Sequence, residues 1–272
     1  MSTLPYERYC AEVPGQLEGL RAVLRGADLS VTVPTCPDWT LDQLVRHVGG
    51  AVRTVELHVR TRATAHIPDA DVPGFTGPEG DDPAALDAWL ADTAAMFAET
   101  AGAAGADTPV WSWAGQATAG FWARRMTHEV AIHRADAAIA VGAPYALAPE
   151  VGADALDEWL EIVHYVQHVL RAEQARGLVG DGRVLRLRAT DTDPGLGADW
   201  AVTLGPDGVA WRRAGDAAGD LAGDAAGDVV LRGPMTEVLL AFYRRRGLAE
   251  GRVEVDGDRG LLEFWLERAS FG

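Results

Sequence analysis

The sequence predicts an α-helical domain, built as a four-helix bundle, followed by a smaller α+β domain. In the first half of the chain, apolar residues recur at steps of three and four, which is the spacing of one buried helical face. Four such segments of about 20 residues joined by loops are typical of a bundle. The second half instead has short β-rich runs between turn sequences. A chain of 272 residues suits two domains, predicted at 1–146 and 147–272.

The helices of the first half have recognisable ends. Apolar residues over 5–25 indicate the first helix, and Pro34 and Pro37 exclude helix from the segment that follows. Thr40 and Gln43 have the spacing of a capping box, so the second helix begins there. The other two helices are predicted to run from Asp82-Pro83 to near Gly105, and over 117–141 before the stop at Gly142.

The second half alternates helical and β-rich segments. Turn sequences such as DGR, DTDPGLG and GPDG separate them. Helices are predicted at 150–176, 234–246 and 259–268, and strands at 183–190, 199–204, 208–213, 228–233 and 252–256. The Gly-Asp repeats of 215–228 lack the spacing and the closing glutamate of calcium-binding motifs, so a flexible acidic loop is the interpretation.

Composition excludes several classes of function. Acidic residues number 40 against 24 basic ones, and the net charge of −16 argues against nucleic acid or an anionic membrane as a partner. Every basic residue is arginine, so no lysine can serve as a P-loop residue, a Schiff base or a general base. No apolar run reaches the ~18–20 residues of a membrane span, and no secretory signal is recognised. A cytoplasmic protein is therefore expected.

The fourth predicted helix carries the most informative side chains. Glu129 and His133 are four residues apart, so they lie on one face and can offer a carboxylate and an imidazole to one metal ion. The segment is not a zincin motif, because His128 and His133 are five residues apart and point in different directions. The alternative is that Glu129 simply pairs with Arg125 or His133 on a solvated stripe.

A third ligand would have to come from another helix. His47 lies beside the apolar stripe of the second helix, where a histidine bonded within the core is the simpler interpretation. His58 lies about 16 Å further along that helix, too far to share an ion with His47. His164 and His168 form a rival pair at the same four-residue spacing.

Other residues are interpreted as structural. The two cysteines, Cys10 and Cys36, are too few for a disulfide framework or a cysteine-built zinc site. Packing is favoured for Cys36, since no neighbour in sequence would activate its thiol. Trp111, Trp113 and Trp122 are expected in an interhelical core, with the lining of a ligand pocket as the alternative.

Two motifs nevertheless resemble one family. The segments VPTCPDWTLDQLVRHVGG (33–50) and MTHEVAIHRAD (126–136) are similar to the mycothiol-dependent maleylpyruvate isomerase family, whose N-terminal domain is a DinB-like four-helix bundle. The segments 231–248 and 255–266 resemble its C-terminal domain, so the likeness covers nearly the whole chain. The sequence departs from the family at Asp38, where glycine is commoner, and in its long Gly-Asp loop.

The resemblance implies a divalent metal ion, with zinc favoured, held by His47, Glu129 and His133. Three protein ligands leave one position open, as in catalytic zinc sites. It also implies mycothiol as the thiol cofactor and Arg246 as a catalytic residue from the C-terminal domain. Arg244 and Arg245 compete for that last assignment. A cationic helix end is the alternative for all three arginines.

The expected function is therefore metal-dependent activation of a small thiol. The thiol would add to an electrophilic small molecule at a site where the two domains meet, giving isomerisation of a maleylpyruvate-like substrate or transfer of the thiol. Two alternatives stay open. A hydrolase could use the same three ligands with hydroxide in place of thiolate, and a non-catalytic protein could bind a metal or small molecule without turnover.

Overall fold

A computed structural model describes residues 4–170, 173, 177–214 and 227–269. They group into two compact units, Leu4–Tyr145 and the chain from Ala146 onward. The domain bounds of 1–146 and 147–272 stay a prediction. Most of the Gly-Asp segment, residues 215–226, lies outside the described residues. No helix in the described part of the chain is long and apolar enough to cross a membrane.

The first unit is a four-helix bundle, as predicted. Both α1 and α2 pack against α3 and α4, which makes α1 and α2 diagonal partners. Leucine and valine side chains, with Phe97, fill the space between the helices and are almost completely buried. The helices are α1 (Tyr6–Leu24), α2 (Leu41–Thr61), α3 (Pro83–Ala104) and α4 (Ala119–Val141).

Local capping sets the ends of these helices. The Thr40 hydroxyl accepts the Gln43 N–H, and the Gln43 side chain accepts the Thr40 N–H in return, which starts α2 as the capping box predicts. The Asp82 carboxylate caps α3 by accepting the N–H of Ala84. Gly142 ends α4 at a φ of 68°, a backbone conformation that glycine adopts without strain.

The proline-rich segment before α2 forms a short antiparallel hairpin that the sequence did not predict. Its strands are β1 (Thr32–Val33) and β2 (Cys36–Thr40). Proline excludes helix here but is tolerated in a two-stranded sheet, where both strands are edges. The hairpin packs against α2 and α4 and so places its turn beside both helices.

The second unit is an α+β fold, as predicted. Its five-stranded sheet has the order β5-β4-β3-β6-β7, in which β3 and β6 are parallel and the other neighbours antiparallel. The strands are β3 (Arg183–Ala189), β4 (Asp199–Gly205), β5 (Gly208–Arg213), β6 (Val229–Gly233) and β7 (Glu254–Gly257). The helices are α5 (Pro149–Tyr165), α6 (Met235–Phe242) and α7 (Arg259–Arg268).

Two helices of this unit differ from the prediction within the described residues. The helix expected to reach 246 ends at Phe242, because Arg244 takes a φ of 60°, outside the range of a right-handed helix. The helix expected over 150–176 is regular to Tyr165 and continues as a π-helical turn over Val166–Leu170. Most of the remainder of that prediction, 171–172 and 174–176, lies outside the described residues.

Close packing of α2 on α3 gives a first test of the bundle. A Cβ atom on Gly49 would lie 2.1 Å from the Trp89 ring, so Gly49→Ala should lower the free energy of unfolding by about 1–3 kcal/mol through overpacking. Urea titration measures this loss. Gly102→Ala is the matched control, because nothing lies within 4 Å of its Cβ position in α3. It should be neutral or stabilising by up to about 1 kcal/mol, and equal losses in both variants would contradict the packing.

Candidate metal centre

The structure brings His47, Glu129 and His133 together. One carboxylate oxygen of Glu129, Oε1, lies 3.2 Å from Nε2 of His47 and 3.2 Å from Nε2 of His133. One ligand atom from each residue can be chosen so that all three lie within 4.8 Å of one another. Donors about 3–4 Å apart suit a single ion that binds each of them at about 2 Å. The three side chains therefore fit a small divalent cation.

Two helices position these side chains. Glu129 and His133 lie one turn apart on α4, and His47 lies in the first half of α2. Because α2 and α4 are neighbours in the bundle, residues 82 positions apart in sequence meet across their interface. The sequence reasoning placed His47 next to an apolar stripe, and this is the face that turns toward α4.

The cluster is accessible at one edge. The His47 side chain is 38% exposed and Glu129 is 21% exposed, whereas His133 is only 10% exposed. The ring of Trp39, from β2, lies 4.7 Å from the His47 ring between centroids. The cluster is therefore exposed to solvent at His47, beside the Trp39 ring.

Arg125 completes the charge balance of Glu129. Its Nη2 lies 2.7 Å from Oε2 of Glu129, the oxygen that does not face the histidines. Burial alone would raise the pKa of the Glu129 carboxyl, but hydrogen bonds from His133 and His47, with the charges of His133 and Arg125, hold that pKa well below its usual range. The alternative interpretation paired Glu129 with Arg125 or His133 on a solvated stripe. Glu129 pairs with both residues, but in a largely enclosed cluster.

Asp136 contacts His133 through Nδ1, the ring nitrogen that does not face Glu129. Nδ1 of His133 lies 2.9 Å from Oδ2 of Asp136, whose side chain is completely buried. Burial alone would lower the pKa of His133, but hydrogen bonds to Asp136 and Glu129 and the charges of both carboxylates raise that pKa to about 9. A metal ion would bind Nε2 of His133 only with that nitrogen deprotonated, so metal binding here would be coupled to proton release.

Sequence reasoning missed the residues that hold Asp136. The Thr35 hydroxyl donates to Oδ1 of Asp136 at 2.6 Å, and the Cys36 thiol donates to Oδ2 at 3.8 Å. Cys36 is half-buried, and its contact with Asp136 adds a hydrogen bond to the packing role expected for it. The signal was available, since Thr35 and Asp136 stand in the two motifs that carry the family resemblance.

The other histidines lie outside this cluster. His128 packs edge-on against Tyr9, on a different face of α4. His58 is a core histidine, with Nδ1 2.7 Å from the Thr54 carbonyl and Nε2 accepting the Ile67 N–H at 3.1 Å. The rings of Trp111 and Trp122 lie within 6.0 Å of the His58 ring, which agrees with the core interpretation for these two residues. Trp113 is 37% exposed, so the core interpretation is wrong for it.

The rival histidine pair is also formed, but on the surface of the second unit. His164 and His168 are exposed, with ring centroids 4.2 Å apart. Nδ1 of His164 lies 3.2 Å from the Val209 carbonyl. Among the described residues, the groups of three or more metal-ligating side chains lie only in the bundle, and they involve His133.

The predicted catalytic arginine has acidic partners within its own unit. Nε of Arg246 lies 3.3 Å from Glu237, and its Nη1 lies 3.4 Å from Glu250. Of the competing residues, Arg245 donates to the Tyr243 carbonyl at 3.0 Å, and Arg244 adopts the left-handed backbone conformation. These contacts do not distinguish a catalytic role from a structural one, and the role of Arg246 stays a prediction.

A four-helix bundle with a His–Glu–His cluster, followed by an α+β unit, defines a two-part protein with a candidate metal centre in its helical part. Residues 10–138 match the family model of the mycothiol maleylpyruvate isomerase N-terminal domain. The N-terminal domain of this chain therefore belongs to that family, which confirms the predicted resemblance for this domain.

Solved structures support the fold of the whole chain. A mycothiol-dependent maleylpyruvate isomerase is 14% identical, with a TM-score of 0.53 over 94% of this chain and 96% of that one. A mutant of a mycothiol-dependent maleylpyruvate isomerase is 16% identical, with a TM-score of 0.54 over the same shares. At this identity the likeness establishes the fold. Comparison with curated protein sequences gives no match.

Proposed function

We propose that this protein is a metal-dependent enzyme that uses a small thiol to isomerise an electrophilic small molecule. His47, Glu129 and His133 would hold the metal ion, with zinc favoured. Mycothiol is the proposed thiol and a maleylpyruvate-like alkene the proposed substrate, because the matching family and the similar solved structures carry those names. The observation that carries the proposal is the convergence of these three side chains within 4.8 Å in a domain of that family.

The donor set is that of a catalytic metal site. Two imidazoles and one carboxylate are three ligands, which leaves a coordination position for a small molecule. A divalent ion held there would supply a Lewis acid that lowers the pKa of a coordinated thiol, so that the thiolate is present at neutral pH. This chemistry needs no protein cysteine as nucleophile.

The surrounding residues would keep the ligands in their binding state. Arg125 binds Oε2 of Glu129 and keeps the carboxylate ionised, which leaves Oε1 directed at the two histidines. Trp39 covers one face of His47 and would exclude water from that side. The exposed edge of His47 leaves an entry path for the thiol and the substrate.

The proposed reaction is a reversible addition. His47, Glu129 and His133 would hold the ion that binds the thiol. The bound thiol would supply a nucleophile that adds to the alkene and leaves again after rotation about the former double bond, so the thiol would be regenerated and nothing would be oxidised or reduced. In thiol transfer, the alternative outcome, the C–S bond would be retained.

Arg246 is the proposed catalytic residue of the second unit. Its role rests on the family resemblance of the segment 231–248. A guanidinium group suits a bidentate contact with a substrate carboxylate. Glu237 and Glu250 would have to release at least part of that group.

A direct assay tests the proposed function. The full chain, loaded with Zn²⁺ and given mycothiol, should convert maleylpyruvate to its trans isomer, followed by absorbance. Conversion should fall to the rate without enzyme when thiol is omitted or when His47 is replaced by alanine. His66→Ala, at an exposed histidine of the same bundle, is the control and should retain activity. Equal rates with and without thiol would contradict the proposal, and hydrolysis of a test ester without thiol would favour the hydrolase instead.

A further inference from the structure

The turn between β1 and β2 contacts the far side of the candidate metal centre. Thr35 and Cys36 both donate to Asp136, which lies about 100 residues later in the chain. Asp136 accepts on Oδ1 from Thr35 and on Oδ2 from Cys36, and Oδ2 also faces Nδ1 of His133. The Asp136 side chain has no exposed surface, so its carboxylate is fixed by hydrogen bonds rather than by solvent.

This arrangement has a recognised chemical consequence. A histidine that donates one ring N–H to a carboxylate has its tautomer and ring orientation fixed, and its other nitrogen becomes a better ligand. Because a carboxylate accepts hydrogen bonds, the Nδ1 that faces Asp136 is the ring nitrogen that would carry the N–H, which leaves Nε2, on the Glu129 side, for a metal ion. Of the three candidate ligands, His133 is the one that Asp136 faces at hydrogen-bond distance, so Asp136 would act on the cluster through His133.

We infer that Asp136 is a positioning residue for His133, and that Thr35 of the hairpin turn holds Asp136 in place. The inference rests on the proposed function, because it assumes that Nε2 of His133 binds a metal ion. Under this inference the hairpin supports the site, a role that follows neither from the fold nor from the three ligands. The β1–β2 turn becomes the outer support of a site whose ligands lie on α2 and α4.

A second metal site is the competing explanation of the same side chains. Cys36, His133 and Asp136 also lie within 4.8 Å of one another. The contacts favour the supporting role, since Asp136 is already engaged by the Thr35 hydroxyl at 2.6 Å and by His133 at 2.9 Å. Metal stoichiometry separates the two explanations, because a second site would bind a second ion.

The test measures Zn²⁺ affinity of the full chain by competition with a chromophoric chelator. Asp136→Asn should weaken Zn²⁺ binding by about 10–100-fold, the range typical for loss of such an outer partner. Thr35→Val, which removes only the hydroxyl, should weaken binding by up to about 10-fold, and Thr35→Ser should restore it. Thr32→Val is the matched control, at an exposed threonine of the same hairpin, and should bind as the parent does.

Three further readouts keep the outcomes distinct. The thermal midpoint of each metal-free variant reports any general loss of folding, and the visible spectrum of bound Co²⁺ reports the ligand geometry. Parent-like affinity and spectra in both Asp136→Asn and Thr35→Val would overturn this inference alone. Two Zn²⁺ ions per chain, one of them lost in Cys36→Ser, would also overturn it in favour of a second site. A parent that binds no Zn²⁺ would overturn the proposed function and this inference together.

Discussion

Replacing Glu129 by glutamine is expected to reduce bound metal from about one divalent ion per chain to a trace. Glu129 is the central ligand of the cluster, since its Oε1 faces both His47 and His133. The amide has nearly the same shape but no charge, and it is a far weaker ligand for zinc. Thiol-dependent turnover should fall with the metal, to the rate without enzyme. Elemental analysis after purification without added metal, and again after reconstitution, measures the loss.

A second buried glutamate of the bundle provides the control. Glu56 is buried on α2 and accepts from Arg60 and Thr100, both at 2.7 Å. Glu56→Gln therefore changes the same chemical group in the same domain, away from the cluster, and should keep its metal. Full metal content in Glu129→Gln, with or without reconstitution, would contradict the assignment of the metal ligands.

The sequence predicted those parts of the fold that depend on local interactions. The start of α2 follows from a four-residue capping box, and the end of α4 from a glycine at positive φ. Glu129 and His133 could be placed on one face because helical periodicity fixes neighbours four residues apart. The pairing of His47 with them came from the family motifs, since periodicity alone left it as a core histidine.

The parts that were missed depend on contacts between distant residues. The β1–β2 hairpin is stabilised by its packing on α2 and α4, and a two-stranded sheet is too small to give a recognisable sequence pattern. The contact of Thr35 with Asp136 spans 101 residues. The early end of α6 follows from a left-handed backbone conformation at Arg244, a residue type that carries no such signal.

A buried ion pair in the second unit is another such long-range contact. Nη1 of Arg213 lies 2.5 Å from Oδ2 of Asp157, whose other oxygen accepts the Trp200 indole N–H at 2.7 Å. The side chains of Asp157 and Arg213 are 1% and 8% exposed. Arg213 also donates to the Leu196 and Gly197 carbonyls, at 2.6 and 3.0 Å. The Arg213 guanidinium therefore links β5 to α5 and to the loop before β4.

Arg213→Met is expected to lower the free energy of unfolding by about 3–5 kcal/mol, because it leaves the Asp157 carboxylate buried without its charge partner. Urea titration at pH 7 measures this loss. Arg188→Met, at an exposed strand position, should change stability by no more than about 0.5 kcal/mol. A loss below about 1 kcal/mol in Arg213→Met would contradict the assignment, as would an equal loss in the control.

The pH dependence of that loss provides a sharper test of its cause. Burial raises the pKa of the Asp157 carboxyl, and the charge of Arg213 and hydrogen bonds from Trp200 and Arg213 offset only part of that rise. Without Arg213 the folded-state pKa should rise further above the unfolded value, so the folded variant binds a proton that the unfolded chain releases. Its stability relative to the parent should therefore fall as pH rises from about 4 to 7. If the difference in free energy of unfolding between parent and variant is the same across this pH range, lost packing, not the unpaired charge, destabilises the variant.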